Sequence, residues 1–300
     1  MRFMLLSKNK FIGIISLLLI AILLPENTFA KDKIQKKELR ILSYNIQFLP
    51  NFLRHIQHFP RKRAPFIGKA VLGDSVDVVV FQEMFDAPAR KALIKELEGT
   101  FPYIVGPRKN KPKGWKRGTG VMIMSKYPLT PLEKIKFSKC KGIDCLANKG
   151  VVAVQLNFDG QPIQIYGTHL QAEASEELLR LQHHEFGQLL KKYEKKNIPQ
   201  ISLGDFNTTK ADTALYHNLL TELQSEDGNL TGEIQNTFDS NVNDMQKPTG
   251  ERGVIDYILY KGNGIKLKSA KRQVRAYQHK WGKKNKDLSD HYALLADFKF

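Results

Sequence analysis

Hydrophobic and polar positions along this chain follow the two-residue period of strands more often than the helical period. Alternation over residues 151–158 predicts a half-buried strand, whereas the valine-rich run 76–81 predicts a strand buried on both faces. The strands predicted in this way cover residues 39–45, 76–81, 118–124, 151–158, 162–168, 200–203, 255–260 and 292–300. Strands are therefore expected throughout the chain.

Two segments between the strands have helical periodicity. Residues 175–195 predict the clearest helix, because Ser175 can cap the first turn and lysines close the last one. Its apolar stripe comprises Leu178, Leu179, Phe186, Leu189, Leu190 and Tyr193. Residues 87–97 predict a second helix, and residues 48–68 are aromatic and irregular. Strands with helices between them and no long linker predict one α+β domain, residues 31–300, in which helices cover packed sheets.

The first thirty residues have the organisation of a secretory signal peptide. Three basic residues accompany an apolar run over 11–24, and Thr28 and Ala30 provide small residues before a cleavage site. The alternative is a membrane anchor, but the run is shorter than the ~20 residues that a spanning helix needs. We expect cleavage after Ala30 and a secreted or periplasmic protein.

Lys and Arg outnumber Asp and Glu by 47 to 30, which gives a formal net charge of +17. This excess predicts an anionic partner, which is nucleic acid, a phosphate ester or an acidic membrane surface. Residues 108–117 and 261–286 lack acids and carry much of the charge. Each stretch is either a solvated face or a membrane contact, in which Trp115, Trp281 and Tyr277 would lie at the lipid interface.

The two cysteines, Cys140 and Cys145, lie in one short segment. Because disulfides persist in exported proteins, we expect this pair to be bridged. A zinc site is not indicated, since the pair lacks the further Cys and His ligands that such sites use.

Polar residues with catalytic chemistry stand at the ends of buried strands. They are Asn45, Glu83, His169, Asp205, Asn207, Asp290 and His291. If the strand ends converge, the carboxylates and amides offer the oxygen ligands that Mg²⁺ prefers, and the histidines can move protons near neutral pH. The chain has no catalytic cysteine and no G-x-S-x-G, P-loop or G-x-G-x-x-G motif, so thiol, serine-hydrolase, nucleotide-hydrolysing and dinucleotide-dependent enzymes lack support.

Taken in order, these residues resemble the endonuclease/exonuclease/phosphatase superfamily, whose fold is shared with pancreatic deoxyribonuclease. The motifs are Ser43-Tyr44-Asn45, Phe81-Gln82-Glu83, Gly167-Thr168-His169, Gly204-Asp205-Phe206-Asn207, Asp256-Tyr257 and Ser289-Asp290-His291. Within the superfamily, Asn148-Lys149-Gly150 and His169-Leu170-Gln171-Ala172-Glu173 are similar to the secreted neutral sphingomyelinase branch. The resemblance implies a four-layer sandwich of two face-to-face sheets with helices outside. It also implies hydrolysis of sphingomyelin to ceramide and phosphocholine with Mg²⁺ or another divalent cation such as Mn²⁺ or Co²⁺.

The resemblance further implies how the metal and the attacking water are held. Glu83 is implied as the principal metal ligand, with Asn45 beside it and Asp290 supporting the metal side. His291 is implied as the general base that activates water, and Asp256 as the carboxylate that orients it.

Three other residues are implied to act on the phosphate. His169, Asp205 and Asn207 would contact it and stabilise the transition state or protonate the leaving alkoxide. The remaining histidines, such as His183 and His184, are expected to be solvated. The same catalytic set would serve a secreted nuclease or another phosphoester hydrolase, which is the alternative. We expect a monomer that meets its substrate at a phospholipid membrane.

The chain departs from the sphingomyelinase branch in two places. Relatives pair the first cysteine with one beyond the His-Leu-Gln-Ala-Glu loop, whereas here that loop continues without cysteine and leaves Cys145 as the partner of Cys140. Haemolytic relatives carry adjacent exposed aromatics in a hairpin before Ser-Asp-His, whereas residues 277–284 hold Tyr277 and Trp281 without such a pair. Strong haemolysis is therefore not expected.

Overall fold

The computed structural model describes residues 38–49, 59–107 and 118–300 of the chain. The expected signal peptide, the basic stretch 108–117 and Trp115 lie outside the described residues. The boundary of the domain at residue 31 therefore stays a prediction. Within the described ranges, no helix is long and apolar enough to cross a membrane.

Most of the described secondary structure lies in two sheets. The strands in chain order are β1 Leu39–Phe48, β2 Val78–Met84, β3 Tyr103–Val105, β4 Met122–Ser125, β5 Thr130–Lys136, β6 Gly150–Phe158, β7 Gln161–His169, β8 Gln200–Asp205, β9 Leu230–Thr231, β10 Phe238–Asp239, β11 Arg252–Gly253, β12 Asp256–Lys261, β13 Ser269–Arg275 and β14 Ala293–Lys299. Sheet 1 has the order β3-β4-β2-β1-β14-β13-β9, and sheet 2 has the order β12-β8-β7-β6-β5. Strands β10 and β11 form a separate short pair.

Helices cover the outer face of each sheet. They are α1 Pro60–Gly73, α2 Ala87–Leu97, α3 Glu176–Tyr193 and α4 Thr213–Leu223. Apolar side chains of α1 and α2 pack on sheet 1, and those of α3 and α4 pack on sheet 2. A third apolar cluster, which includes Ile41, Val80, Ile165 and Leu203, joins the inner faces of the two sheets. The order of layers is helices, sheet 1, sheet 2, helices, which confirms the predicted four-layer α+β sandwich.

The two sheets approach each other closely next to the strand ends that carry the candidate site. A Cβ atom at Gly167 of β7 would lie 2.7 Å from a methyl carbon of Val80 and 2.9 Å from one of Val121, both on the sheet 1 side. A larger residue at position 167 would therefore push the sheets apart. Glycine here lets the ends of β2 and β7 lie near each other.

One helix lies where the sequence predicted irregular structure. Helix α1 begins after Phe59, which has a left-handed backbone (φ 38°) and provides no side-chain cap, and Pro65 lies inside the helix. These are weak local signals for a helix. Burial of Ala64, Ile67 and Val71 against sheet 1 stabilises it instead.

The basic stretch 261–286 contains a strand that the sequence analysis did not predict. Strand β13 lies within it and pairs with β14. Three of its cations are paired inside the fold: Lys261 with Glu194, Arg272 with Asp227 and Arg275 with Asp74. The exposed charge of this stretch is therefore carried by its lysines at positions 266, 268, 271, 280, 283, 284 and 286.

Candidate active site

Three site residues lie side by side at one end of sheet 2. His169 continues the inward-facing positions of β7, which also include Ile163 and Ile165. The strand register places Asp205 of β8 opposite His169 on one side and opposite Asp256 of β12 on the other. All three residues are buried. Pairing of neighbouring strands therefore assembles a polar group that is scattered over the sequence.

Glu83 reaches the same group from sheet 1 because its backbone departs from strand geometry. Alternation along β2 would direct Glu83 towards the helix layer with Val79 and Phe81. Glu83 instead has φ 59°, and the pairing of β1 with β2 is irregular at this point. A left-handed backbone is uncommon for a glutamate, and active sites are one of the places where such strain is retained. Glu83 Oε1 accepts from the Asn45 amide at 3.4 Å.

Asn45 joins the two sheets through hydrogen bonds. Its amide nitrogen donates to Asp205 Oδ2 at 3.0 Å as well as to Glu83, and its oxygen accepts from the backbone N–H of Gln47. In this arrangement Asn45 presents its N–H groups, rather than its oxygen, to the carboxylates. Its direct part in metal binding stays a prediction.

His291 and Asp256 form a pair with the geometry of a general base and its orienting carboxylate. Nδ1 of His291 lies 2.9 Å from Asp256 Oδ2, which leaves Nε2 on the side of Asp205, 3.7 Å from Oδ2. Asp256 is itself held by Thr237, whose hydroxyl accepts from its backbone N–H at 3.1 Å. Burial lowers the pKa of His291, but the charges of Asp256 and Asp205 outweigh it and raise that pKa well above its usual value.

His169 is held in a different protonation state. Lys149 Nζ lies 2.9 Å from His169 Nε2, and because an ammonium only donates, Nε2 accepts and the ring proton lies on Nδ1. Burial and the charge of Lys149 lower the pKa of His169 well below its usual value. Lys149 also donates to Leu170 O at 2.8 Å and pairs with Asp144. Lys149 belongs to the Asn148-Lys149-Gly150 motif, but the sequence alone indicated no role for it.

Asn207 follows Asp205 on a strained turn. It has φ 47°, its side chain donates to Leu170 O at 3.0 Å, and its backbone N–H donates to Asp205 Oδ1. The next residue, Thr208, is 2.9 Å from Nε2 of His183, whose Nδ1 lies 2.9 Å from Asn218 Oδ1. The expectation that His183 is solvated is wrong, because this histidine is fully buried behind the site. His184, its neighbour on α3, is exposed as expected.

Asp290 lies beside the site. Oδ2 accepts from the side-chain amides of Gln47 and Gln246, and Oδ1 lies 3.2 Å from the Ser289 hydroxyl, which lies 2.6 Å from Asn45 O. The buried Arg63 donates to backbone carbonyls of Ile46, Gln47 and Leu288 and so ties the end of β1 to the segment that precedes β14. No sequence motif marked Gln47, Gln246 or Arg63, because their contacts depend on distant segments.

The described site has the donor set of a hard-cation site. Glu83 Oε2 and Asp256 Oδ1 are buried and have no hydrogen-bond partner among the described residues. Burial and the nearby Asp290 raise the pKa of Glu83 to about 7, and burial raises that of Asp256 to about 6. Asp205, Asp256 and His291 could also each direct one ligand atom to a common ion. Buried carboxylate oxygens that lack a hydrogen-bond partner are suited to Mg²⁺. Among the predicted metal ligands, Glu83 has such an oxygen, Oε2.

The remaining predicted residues lie outside this group. Cys140 and Cys145 form the predicted disulfide, with their Cα atoms 5.3 Å apart. Tyr277 is half-buried, with its hydroxyl on Asp74 and its ring against Tyr44, so packing inside the fold already engages it. Trp281 is also half-buried, and its indole N–H donates to Asp287 O. Contact of these aromatic residues with lipid stays a prediction.

Comparison with known families agrees with this geometry. Residues 42–291 match the model of the Endonuclease/Exonuclease/phosphatase family. The chain belongs to this family. A protein named phospholipase C from Staphylococcus aureus is 27% identical, with 97% of this chain and 96% of that protein covered. Sphingomyelinase C 2 from Leptospira interrogans is 30% identical over 74% of this chain and 39% of that longer protein.

A solved structure is similar over nearly the whole described fold. A variant of beta toxin from Staphylococcus aureus with bound magnesium ions has a TM-score of 0.76 and 27% identity, and covers 88% of this chain and 100% of that one. The resemblance to bacterial sphingomyelinases that the motifs indicated is confirmed by these relatives. The expectation of an enzyme of the hydrolase class is confirmed with it.

Proposed function

We propose that this protein is a metal-dependent phosphodiesterase that hydrolyses sphingomyelin to ceramide and phosphocholine. The observation that carries the proposal is the His291–Asp256 pair at 2.9 Å, which directs the second imidazole nitrogen towards Asp205. The names of the relatives, phospholipase C and sphingomyelinase C, support the substrate class.

His291, in its neutral form, is proposed to remove a proton from the attacking water. That form would be favoured by a bound cation, which would offset the Asp205 and Asp290 charges that raise the pKa of His291. As the water oxygen bonds to phosphorus, its proton passes to Nε2 of His291, and the bond from phosphorus to the ceramide oxygen breaks. Asp256 keeps the other ring proton on Nδ1 and stabilises the imidazolium that forms. The ceramide oxygen takes up one proton and the His291 imidazolium gives up the one it received, so that ceramide and phosphocholine are the two products and the base is restored.

His169 and Asn207 are proposed to act on the phosphate as neutral donors. With Nε2 accepting from Lys149, His169 keeps an N–H on Nδ1 that has no partner among the described residues. Lys149 adds a positive charge at the same place. Donors that are already fixed in position stabilise developing negative charge without reorganisation.

Glu83 is the residue proposed to hold the metal, with Asn45, Asp205 and Asp290 nearby. A bound Mg²⁺ would neutralise charge on the phosphate oxygens and offset the repulsion among these carboxylates. Replacement by Mn²⁺ or Co²⁺ is expected to be tolerated, because the donor set is oxygen-rich.

An assay of two substrates tests the proposal. The purified protein is incubated with Mg²⁺ and either sphingomyelin vesicles or plasmid DNA, with EDTA and with His291→Ala in parallel. We expect phosphocholine release that EDTA abolishes and that His291→Ala lowers by about 10³-fold. His184→Ala, on the exposed face of α3, is the matched control and should be as active as the wild type.

Two outcomes would contradict the proposal. Phosphocholine release that survives EDTA would exclude the metal-dependent mechanism. Nicking of DNA without phosphocholine release would replace the proposed substrate with nucleic acid, the alternative that the same family allows.

We further propose that the protein is exported and acts at a membrane as a monomer. The signal-like segment 1–30 and the Cys140–Cys145 disulfide support export, because disulfides persist in oxidising compartments. The intact mass of the protein recovered outside the cytoplasm should equal that of a chain that begins at Lys31. A chain that retains residues 1–30 would contradict cleavage after Ala30.

A further inference from the structure

The turn closed by the disulfide displays two aliphatic side chains next to the candidate site. Residues Gly142–Leu146 form a short 3₁₀ turn, in which Ile143 is 62% exposed and Leu146 is 40% exposed. Few large apolar side chains among the described residues are this accessible, and two of them fall within these five residues. Exposed aliphatic side chains that are clustered, rather than scattered, indicate a contact surface.

This turn is fixed in position relative to the site. Asp144 accepts from the backbone N–H of Ala172 at 2.9 Å and from the Gln171 amide at 3.0 Å. Gln171 in turn exchanges two hydrogen bonds with the backbone of Lys141. Residues 171–172 lie two and three positions after His169, and Asp144 pairs with Lys149, which contacts His169, so the turn lies at the rim of the site. The disulfide and these hydrogen bonds hold the backbone of the turn, and with it Ile143 and Leu146, in a fixed place beside the site.

The charges around the turn match a membrane interface. Lys139 and Lys141 flank the first cysteine and are exposed, whereas Asp144 is neutralised by Lys149 at 2.7 Å. Aliphatic side chains that enter the acyl region, with lysines that extend to lipid phosphates, are typical of proteins that bind at the bilayer surface.

We propose that Ile143 and Leu146 insert into the phospholipid bilayer that carries the substrate. The choice of a bilayer as the partner rests on the proposed function. A site that cleaves sphingomyelin must face a bilayer, and this turn lies at the rim of that site. The surface differs from the aromatic and basic residues that the sequence suggested, of which Tyr277 is engaged within the fold. Insertion of aliphatic side chains explains binding to zwitterionic membranes, which net charge alone does not.

A flotation experiment with phosphatidylcholine–sphingomyelin vesicles in EDTA measures binding without hydrolysis. We expect the double variant Ile143→Ser/Leu146→Ser to bind about tenfold more weakly than the wild type, since two aliphatic side chains no longer leave water. The defect should persist in about 1 M salt, where charges are screened beyond roughly 3 Å. Ile143→Leu keeps the apolar area and should bind as the wild type.

Val242→Ser provides a matched control. Val242 is aliphatic and 65% exposed, and it lies in the loop between β10 and β11 rather than in the disulfide turn. Its variant should float as the wild type does. The proposal is overturned if the double variant floats normally, or if Val242→Ser loses as much binding.

Turnover of a short-chain sphingomyelin, dissolved as monomers, separates docking from chemistry. The double variant should cleave this soluble substrate at the wild-type rate while it cleaves vesicles more slowly. An equal loss of cleavage rate on both substrates would show that the site is damaged, and it would overturn the docking role of Ile143 and Leu146. If the wild type cleaves neither substrate, the proposed function fails, whereas the flotation result still tests the surface.

Discussion

Two groups of buried polar residues lie on opposite sides of the turn that carries Asn207, and they differ in how completely their hydrogen bonds are made. Behind the turn, both ring nitrogens of His183 have partners at 2.9 Å, Asn218 and Thr208. In the candidate site, by contrast, Glu83 Oε2, His169 Nδ1 and Asp256 Oδ1 have no partner among the described residues. Buried polar atoms in native proteins are normally paired.

The difference separates a structural group from one that is arranged for ligands. An unpaired buried donor or acceptor costs about 1–3 kcal/mol, so three such atoms close together on ionisable side chains indicate a ligand site. A cation and phosphate oxygens would do so in the site. The His183 group needs no ligand, and it holds Thr208, which is the neighbour of Asn207.

The largest expected effect concerns the carboxylate behind the base. Asp256→Asn should lower kcat for phosphocholine release by about 10³-fold, because the amide cannot stabilise the imidazolium of His291. The free energy of unfolding should change little by comparison. The matched control is Asp297→Asn, which removes an ion pair with Arg40 outside the site. Similar activity losses in both variants would show that the effect of Asp256→Asn is not specific to the candidate site.

The second prediction tests the open oxygen of Glu83. Glu83→Gln should weaken Mg²⁺ binding by at least about tenfold, since even residues behind metal ligands contribute that much. The readout is the rise of the melting temperature with Mg²⁺ in the absence of substrate. The variant without Mg²⁺ should be at least as stable as the wild type, because a buried carboxylate beside Asp290 is removed. An unchanged Mg²⁺ response would assign the ion to Asp205, Asp256 and His291 instead.

The third prediction concerns pH and the structural group. Burial lowers the pKa of His183 to about 4, below its value of about 6.5 in the unfolded chain. The unfolded chain therefore binds a proton first as the pH falls, and stability is lost between about pH 6.5 and 4. This single group should lower the free energy of unfolding by about 2 kcal/mol between pH 7 and pH 5.

Urea unfolding of His183→Gln at both pH values measures this contribution. The variant should be less stable than the wild type at pH 7 but should lose less stability on acidification. His184→Gln changes an exposed neighbour on the same helix and should retain the wild-type pH dependence. An unaltered slope in His183→Gln would show that other groups cause the acid sensitivity.

The smallest expected effect is that of Asn218. Asn218→Ala removes the partner of His183 Nδ1 and should cost about 1 kcal/mol of stability. Because α4 does not contribute a residue to the candidate site, kcat should stay within about twofold of the wild type. A fall in kcat well beyond twofold, with a stability loss of only about 1 kcal/mol, would place the His183 group in the catalytic machinery.

The sequence by itself determined most of the inner strands of both sheets and the strand positions of His169, Asp205 and Asp256. A two-residue period marks β7, and it also places His169 in line with the inward-facing Ile163 and Ile165. The same reasoning holds for Asp205 in β8 and Asp256 in β12, whose inward neighbours are apolar. Because side-chain direction in a strand follows directly from position, local pattern was sufficient to identify these residues.

Only the tertiary structure decided how Glu83 enters the site. Its position in β2 predicts that it faces the helices, but the left-handed backbone and the irregular pairing with β1 turn it towards Asn45. The burial of His183 and the contact of Lys149 with His169 likewise depend on partners 20 to 35 residues away. Such arrangements arise from the register between distant strands and the packing of helices on them, so no local period in the sequence encodes them.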